Sequence, residues 1–322
     1  MVTIETELTS ITIDPLTPTI GAEISGIDLA VPLSNRQQIE MHQALLDWKV
    51  LFFRDQDITT GQQVAFAQHF GELEYFPFTD LVHVHADYPE LVMVHHGPDL
   101  PGTENTWHHD VTWRLEPSLG SVLRMTDVPA TGGDTLFADM AAAYDGLPTD
   151  IKEEIDGAVA RHDFELFRNV LRFKGASDAE IASYEARYPN PHHPVVRTHP
   201  ETGQRSLFVN AAWTREIVGI DPARSERLLD LLYQQAKHPE YQCRFRWEPN
   251  CIAFWDNRAC QHYAVSDYFP NERMGERASI AGDVPYFDPD QPVTRSHGES
   301  PVRGAIVGEI AKQAAAYRSA VG

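Results

Sequence analysis

A chain of 322 residues with 47 acidic and 26 basic side chains has a formal charge of -21, which excludes a broad phosphate-binding face and with it a nucleic-acid partner. Three dispersed cysteines, Cys243, Cys251 and Cys260, exclude a disulfide framework, and no stretch approaches the ~20 apolar residues that a membrane helix needs. Met1 to Asp14 lacks the basic and apolar runs of a secretory signal, so a soluble cytoplasmic protein acting on a small molecule is expected.

The apolar pattern changes period repeatedly along the chain. Thr19 to Ile24 reads as a strand; Ser34 caps a helix with Ile39, Ala44, Leu45 and Trp48 on one stripe; Val50 to Phe53 reads as a buried strand. Thr59 or Thr60 opens a second helix carrying Val64, Ala67 and Phe70 before Gly71. Leu91 to Val94, Ser121 to Met125 and Thr135 to Ala138 are further strands, and Phe164 to His193 reads as a long lid-like insertion of weak periodicity. Then come a strand at Val195 to Thr198, a helix opened by Asp221-Pro222 and ended by Pro239, and a strand at Tyr241 to Trp247. The balance is mainly β with flanking helices. A single domain is expected over 1–287, followed over 288–322 by a Pro- and Ser-rich linker and a helix at about Ala305 to Ser319.

The chemistry concentrates in Trp107-His108-His109-Asp110-Val111-Thr112-Trp113 and, far downstream, Gln261-His262. If the first stretch is a strand, His108 and Asp110 share a face and can reach one ion, while His109 points away as an exposed or supporting residue. Two imidazoles and a carboxylate on one face of an octahedron leave positions open for a cosubstrate and O2, as an iron(II) oxygenase requires. His83-x-His85, His95-His96 and His192-His193 lack acidic or cysteine partners at useful spacing, so no second metal site is expected.

These motifs, with Thr131-Gly132-Gly133-Asp134-Thr135-Leu136, the run His193 to Pro200, and Trp255-Asp256-Asn257-Arg258, resemble the taurine and 2,4-dichlorophenoxyacetate dioxygenase family from about Ile11 to Pro285. The resemblance implies a double-stranded β-helix (jelly-roll, cupin-like) core, with His108, Asp110 and His262 as catalytic iron(II) ligands. It also implies that Thr135 and Arg273 hold the distal carboxylate of 2-oxoglutarate. Arg277 matches the position facing the substrate's acidic group, although either arginine suits the cosubstrate, because a guanidinium grips a carboxylate through paired hydrogen bonds. O2 is the third reactant, and succinate, CO2 and an oxidised carbon-hydrogen bond are the implied products. Asp110 disfavours halogenation, which needs a small residue there.

Where taurine enzymes place a sulfonate-gripping His and, three residues on, a Tyr, this chain has Phe76 and Thr79, which disfavours taurine. Tyr75, Phe76 and Phe78, with Phe208 from downstream, suggest a bulkier, more apolar substrate body. The family's habits imply a homo-oligomer, to which the segment after Pro289 could contribute. A non-catalytic metal-binding or sensing protein of the same fold is the alternative.

Overall fold

The computed structural model describes residues 10–78, 81–100, 102, 104–294 and 303–321, with side chains described from 308 in the last segment. The first third comprises β1 (Thr12–Pro15), β2 (Ala22–Ser25), α1 (Asn35–Trp48), β3 (Val50–Phe53), α2 (Thr60–Gln68), β4 (His83–Val84) and β5 (Leu91–His96). The middle adds β6 (Gly120–Asp127), β7 (Thr135–Asp139), α3 (Met140–Gly146), α4 (Thr149–Ile155), β8 (Val159–His162), α5 (Glu165–Phe173), α6 (Asp178–Arg187) and β9 (His192–Pro194). The last part holds β10 (Val196–Thr198), β11 (Arg205–Leu207), β12 (Thr214–Ile217), α7 (Pro222–Gln235), β13 (Gln242–Phe245), β14 (Cys251–Asp256), β15 (Cys260–Ala264), β16 (Arg273–Ile280) and α8 (Arg303–Val321).

A large sheet in the order β1-β2-β3-β14-β6-β16-β5-β4 faces a small one in the order β13-β7-β15. Period-two alternation sorts the side chains. On the large sheet Ile252, Phe254, Val122, Ala278 and Ile280 turn outward beneath α1 and α2. Leu123, Met125, Ala253 and Trp255 turn inward, where they meet Phe137, Phe245 and Cys260 of the small sheet. Behind the small sheet, a third apolar layer joins Ala138 to α3, α4, α7 and α8.

Helix starts follow the sequence. Ser34 and Thr59 each form a reciprocal capping box, with Gln37 and Gln62, and the Asp221 carboxylate accepts from the amides of Ala223 and Arg224 at the head of α7. The expected strand from Thr19 begins only at Ala22, because the Thr17 hydroxyl ties into a turn closed by Ile20 and Gly21 takes a left-handed φ of 85°. The 164–193 insertion is not a long irregular loop: α5, α6 and β9 fill most of it. Its Phe164, Phe167, Leu171 and Ile181 pack on Phe78, Trp113 and Trp213.

Asp288 to Thr294 is stitched to the 198–205 region rather than standing off as an arm. Arg205 donates to the carbonyls of Asp288 and Gln291, and the Thr294 amide to that of Thr202. Ile310, Ala314 and Tyr317 of α8 are buried in the layer behind the small sheet. No helix among the described residues is long and apolar enough to cross a membrane.

Candidate active site

His108 is joined to β15 by an isolated bridge: its amide donates to the His262 carbonyl at 3.1 Å, and the His262 amide returns the bond at 2.9 Å. The two backbone bonds bring both imidazoles over the inner face, 4.2 Å between ring centroids. The chain then leaves extended geometry. Val111 has φ of 46° and residues 110–113 form a turn, so the pair stands at a single bridge and the mouth of a turn rather than within a strand, while His109 packs instead against Phe208, as two-residue alternation predicts. The expected strand placement of the His-x-Asp pair is thus corrected, while the convergence of its side chains stands.

His108 Nε2 and His262 Nε2 lie 3.7 and 3.9 Å from Asp110 Oδ1, too far to hydrogen-bond with it, and the three ligand atoms all fall within 4.8 Å of one another. They are the one such group among the described residues. His108 Nδ1–H donates to the Thr106 carbonyl at 2.7 Å, which leaves its Nε2 lone pair free for a metal. Burial, with His108 alongside, pushes His262 down to about 3, so its imidazole is neutral and able to ligate. Burial alone would raise the Asp110 carboxyl, but Arg277, His262 and His108 outweigh it and hold Asp110 at about 2, ionised. Two imidazoles and an ionised carboxylate fit a divalent iron ion.

Asn257, fully buried, clamps the turn. Its Oδ1 accepts the Asp110 amide at 2.7 Å and its Nδ2 donates to the carbonyls of Asp110 and Ser118, both at 3.0 Å. Sequence reading passed over this residue, although it stands in the Trp-Asp-Asn-Arg motif already singled out. Residues that orient ligands typically contribute about 10–100-fold to metal affinity. Replacing Asn257 by Ala is therefore expected to weaken Fe(II) binding in that range, measured by anaerobic titration; unchanged affinity would deny the clamp any role.

β16 supplies the arginines. Arg273, Gly275 and Arg277 share its inner face. Arg277 Nη1 donates to Asp110 Oδ1 at 3.2 Å. Arg273 is 4% exposed, its Nε donates to the Gly133 carbonyl at 3.1 Å, and no carboxylate among the described residues pairs with it. Burial pulls its pKa down, yet a guanidinium stays charged, so this is a desolvated cation that Glu104 and Asp134 influence only from a distance, with no carboxylate in contact. Gly133 permits the approach: at φ of 74°, an added Cβ would stand 3.3 Å from both Arg273 Cδ and the Tyr268 ring. Thr135 stands at the head of β7, its hydroxyl accepting from Trp247 Nε1 at 3.0 Å.

The aromatic expectations divide. Phe76 is half-buried, against Phe78 and Phe167 of the insertion. Tyr75 is 67% exposed and lines an open hollow with Leu73 and Glu90. Phe208 is a correction: it has no exposed surface, because His109 and Arg197 cover its ring at 4.8 and 5.1 Å. His109 is itself fully buried, which removes the exposed placement allowed for it. Thr79 lies outside the described residues. Cys260 is a buried thiol that burial pushes up, as a small core residue would be.

The insertion helices were missed although both carry a signal in the sequence. Ser177-Asp178-Ala179-Glu180 is a legible capping box, and the structure forms it. α5 is legible too: Leu166, Phe167, Val170, Leu171 and Phe173 fall on one arc of its helical wheel, of which Phe167 and Leu171 pack inward while Leu166, Val170 and Phe173 stay exposed.

Residues 12–279 match the family model "Taurine catabolism dioxygenase TauD, TfdA family". An alkylsulfatase of Acinetobacter baylyi is 34% identical over 286 residues, covering 84% of each chain. An (S)-phenoxypropionate/alpha-ketoglutarate-dioxygenase of Sphingobium herbicidovorans is 34% identical, covering 84% of this chain and 95% of its own. The crystal structure of a taurine dioxygenase from Burkholderia xenovorans superposes with a TM-score of 0.74 at 35% identity, covering 89% of this chain and 97% of that one. With its ligand geometry, its arginine-bearing strand and these matches in agreement, the chain belongs to the TauD/TfdA family and is an alpha-ketoglutarate-dependent dioxygenase.

Proposed function

We propose that the enzyme is an iron(II)- and 2-oxoglutarate-dependent dioxygenase that oxidises a carbon-hydrogen bond of a small anionic substrate with an apolar body, releasing succinate and CO2. His108, Asp110 and His262 hold the iron, which when bound supplies the activation of O2. The observation that carries the reading is the pairing of that three-residue donor set with Arg273, a buried cation that lacks a carboxylate. Arg273 and Thr135 take the distal carboxylate of 2-oxoglutarate.

Arg277, beside Asp110 and partly exposed, faces the substrate's anionic group, with Phe76 and Tyr75 toward its apolar part. The relatives support this description, since a sulfate ester and a phenoxypropionate are both anions on apolar bodies. Alkyl sulfate esters and aryloxyalkanoates are the classes we favour, and taurine is not. The facing sheets support a jelly-roll core, with the 164–193 helices as a lid that excludes water over Val111 and Trp213. Cytoplasmic action as a homo-oligomer belongs to the same reading; the three free thiols are in keeping with a reducing compartment.

Anaerobic addition of Fe(II) and 2-oxoglutarate is expected to produce a weak visible charge-transfer band in the native protein and none in His108→Ala. A panel of sulfate esters, aryloxyalkanoates, alkyl sulfonates and taurine then reports on the substrate, by shifts of that band and by coupled succinate release. Bound iron without a band would defeat the cosubstrate assignment.

A further inference from the structure

The cosubstrate pocket proposed above contains one polar contact that its two anchors do not explain. Trp247, 4% exposed, lies just beyond β13, whose Phe245 pairs with Thr135 across the small sheet. Its indole N–H points at the Thr135 hydroxyl, 3.0 Å away, and its ring lies 5.8 Å from the Arg273 guanidinium carbon. An indole nitrogen is a donor only, whereas a threonine hydroxyl has one proton and two lone pairs. Once Trp247 occupies a lone pair, the Thr135 proton must go to an acceptor elsewhere, and the hydroxyl has none among the described residues. Arg273 also offers only donors. The wall made by Thr135 and Arg273 therefore presents N–H and O–H groups and suits a group that only accepts.

We infer that Trp247 is a positioning residue for the cosubstrate: its N–H fixes the Thr135 hydroxyl as a donor to the distal carboxylate of 2-oxoglutarate. This rests on the proposed cosubstrate site. Without the indole N–H, the hydroxyl is free to turn its lone pairs toward the carboxylate, and a charge-assisted bond is weakened. The same arrangement discriminates against 2-oxo acids that end in a methyl group.

The test is calorimetric binding to the Zn(II)-loaded protein, which needs no turnover. Trp247→Phe keeps the ring and removes the donor; 2-oxoglutarate is expected to bind about tenfold more weakly, the scale of one charge-assisted hydrogen bond. In a Thr135→Val background the same substitution should add nothing, whereas a purely structural role would weaken both backgrounds alike. Binding of 2-oxopentanoate, which lacks the distal carboxylate, should not change. Should Trp247→Phe fail to fold, the native protein still decides: the nitrogen-15 resonance of the Trp247 indole should move when 2-oxoglutarate binds, and should not in Thr135→Val. Arg273→Met separates the two levels of the argument. If it leaves 2-oxoglutarate affinity intact, the cosubstrate site itself is wrong. If it destroys affinity while Trp247→Phe is silent, or while the indole resonance stays still, the role of Trp247 is overturned and the site stands.

Discussion

Replacing Arg273 by Met is expected to act in opposite directions on two measurements. Binding of 2-oxoglutarate should weaken by roughly 100-fold or more, the scale seen when one partner of a buried charge pair is removed. The protein free of metal and cosubstrate should become more stable, because a guanidinium 4% exposed and without a carboxylate partner is replaced by an apolar chain of similar reach. A gain of about 1 kcal/mol would raise the melting temperature by about 1–2 °C at this chain length. Calorimetric binding and thermal melting on one preparation decide the matter. A lower melting temperature with intact affinity would make Arg273 an ordinary structural residue.

Acid should destabilise the metal-free protein well before its carboxylates titrate. His162 is fully buried among Thr112, Thr214 and His193, and burial, then His193, drives its pKa well below the ordinary imidazole value. His193 is brought down to about 4, again chiefly by burial. Both are neutral in the folded state, whereas in the unfolded chain they take protons near pH 6.5. The unfolded state thus binds more protons, and stability must fall as pH drops. Full stability holds above about pH 6.5, each histidine removes about 1.4 kcal/mol per pH unit below it, and the His193 share levels off below its folded value. Denaturant titrations at pH 7.5, 6 and 5 should show this slope, and His193→Gln should reduce it. A flat profile from pH 6.5 to 5 would mean that these rings are hydrated.

The site was more legible than the parts that support it. Among 15 histidines a His-x-Asp pair does not stand out alone, and it was the resemblance of the surrounding motifs that singled out His108, Asp110 and His262, whereas capping residues such as Ser34 and Asp221 place helices by a local rule. The Val111 turn was not legible, since a β-branched residue at positive φ is held there only by tertiary contacts such as the Asn257 clamp on its neighbour. Phe208 shows the matching limit: an aromatic in a strand-like run reads alike whether it faces a ligand or lies beneath His109. α5 was within reach, since its apolar residues share one arc of the helical wheel; what that pattern does not encode is that Leu166, Val170 and Phe173 stay exposed while Leu171 is buried.

The backbone bridge between His108 and His262 also governs how the protein comes to exist. Its two halves are separated by the insertion, α7 and two strands of the small sheet, β7 and β13, so closing it carries a large loop-entropy cost and is expected late in folding. An emerging or partly collapsed chain has the His-x-Asp segment but lacks the third donor. High-affinity metal capture should therefore coincide with docking of the two sheets, making metal uptake a reporter of completed folding and sparing unfinished chains a redox-active ion.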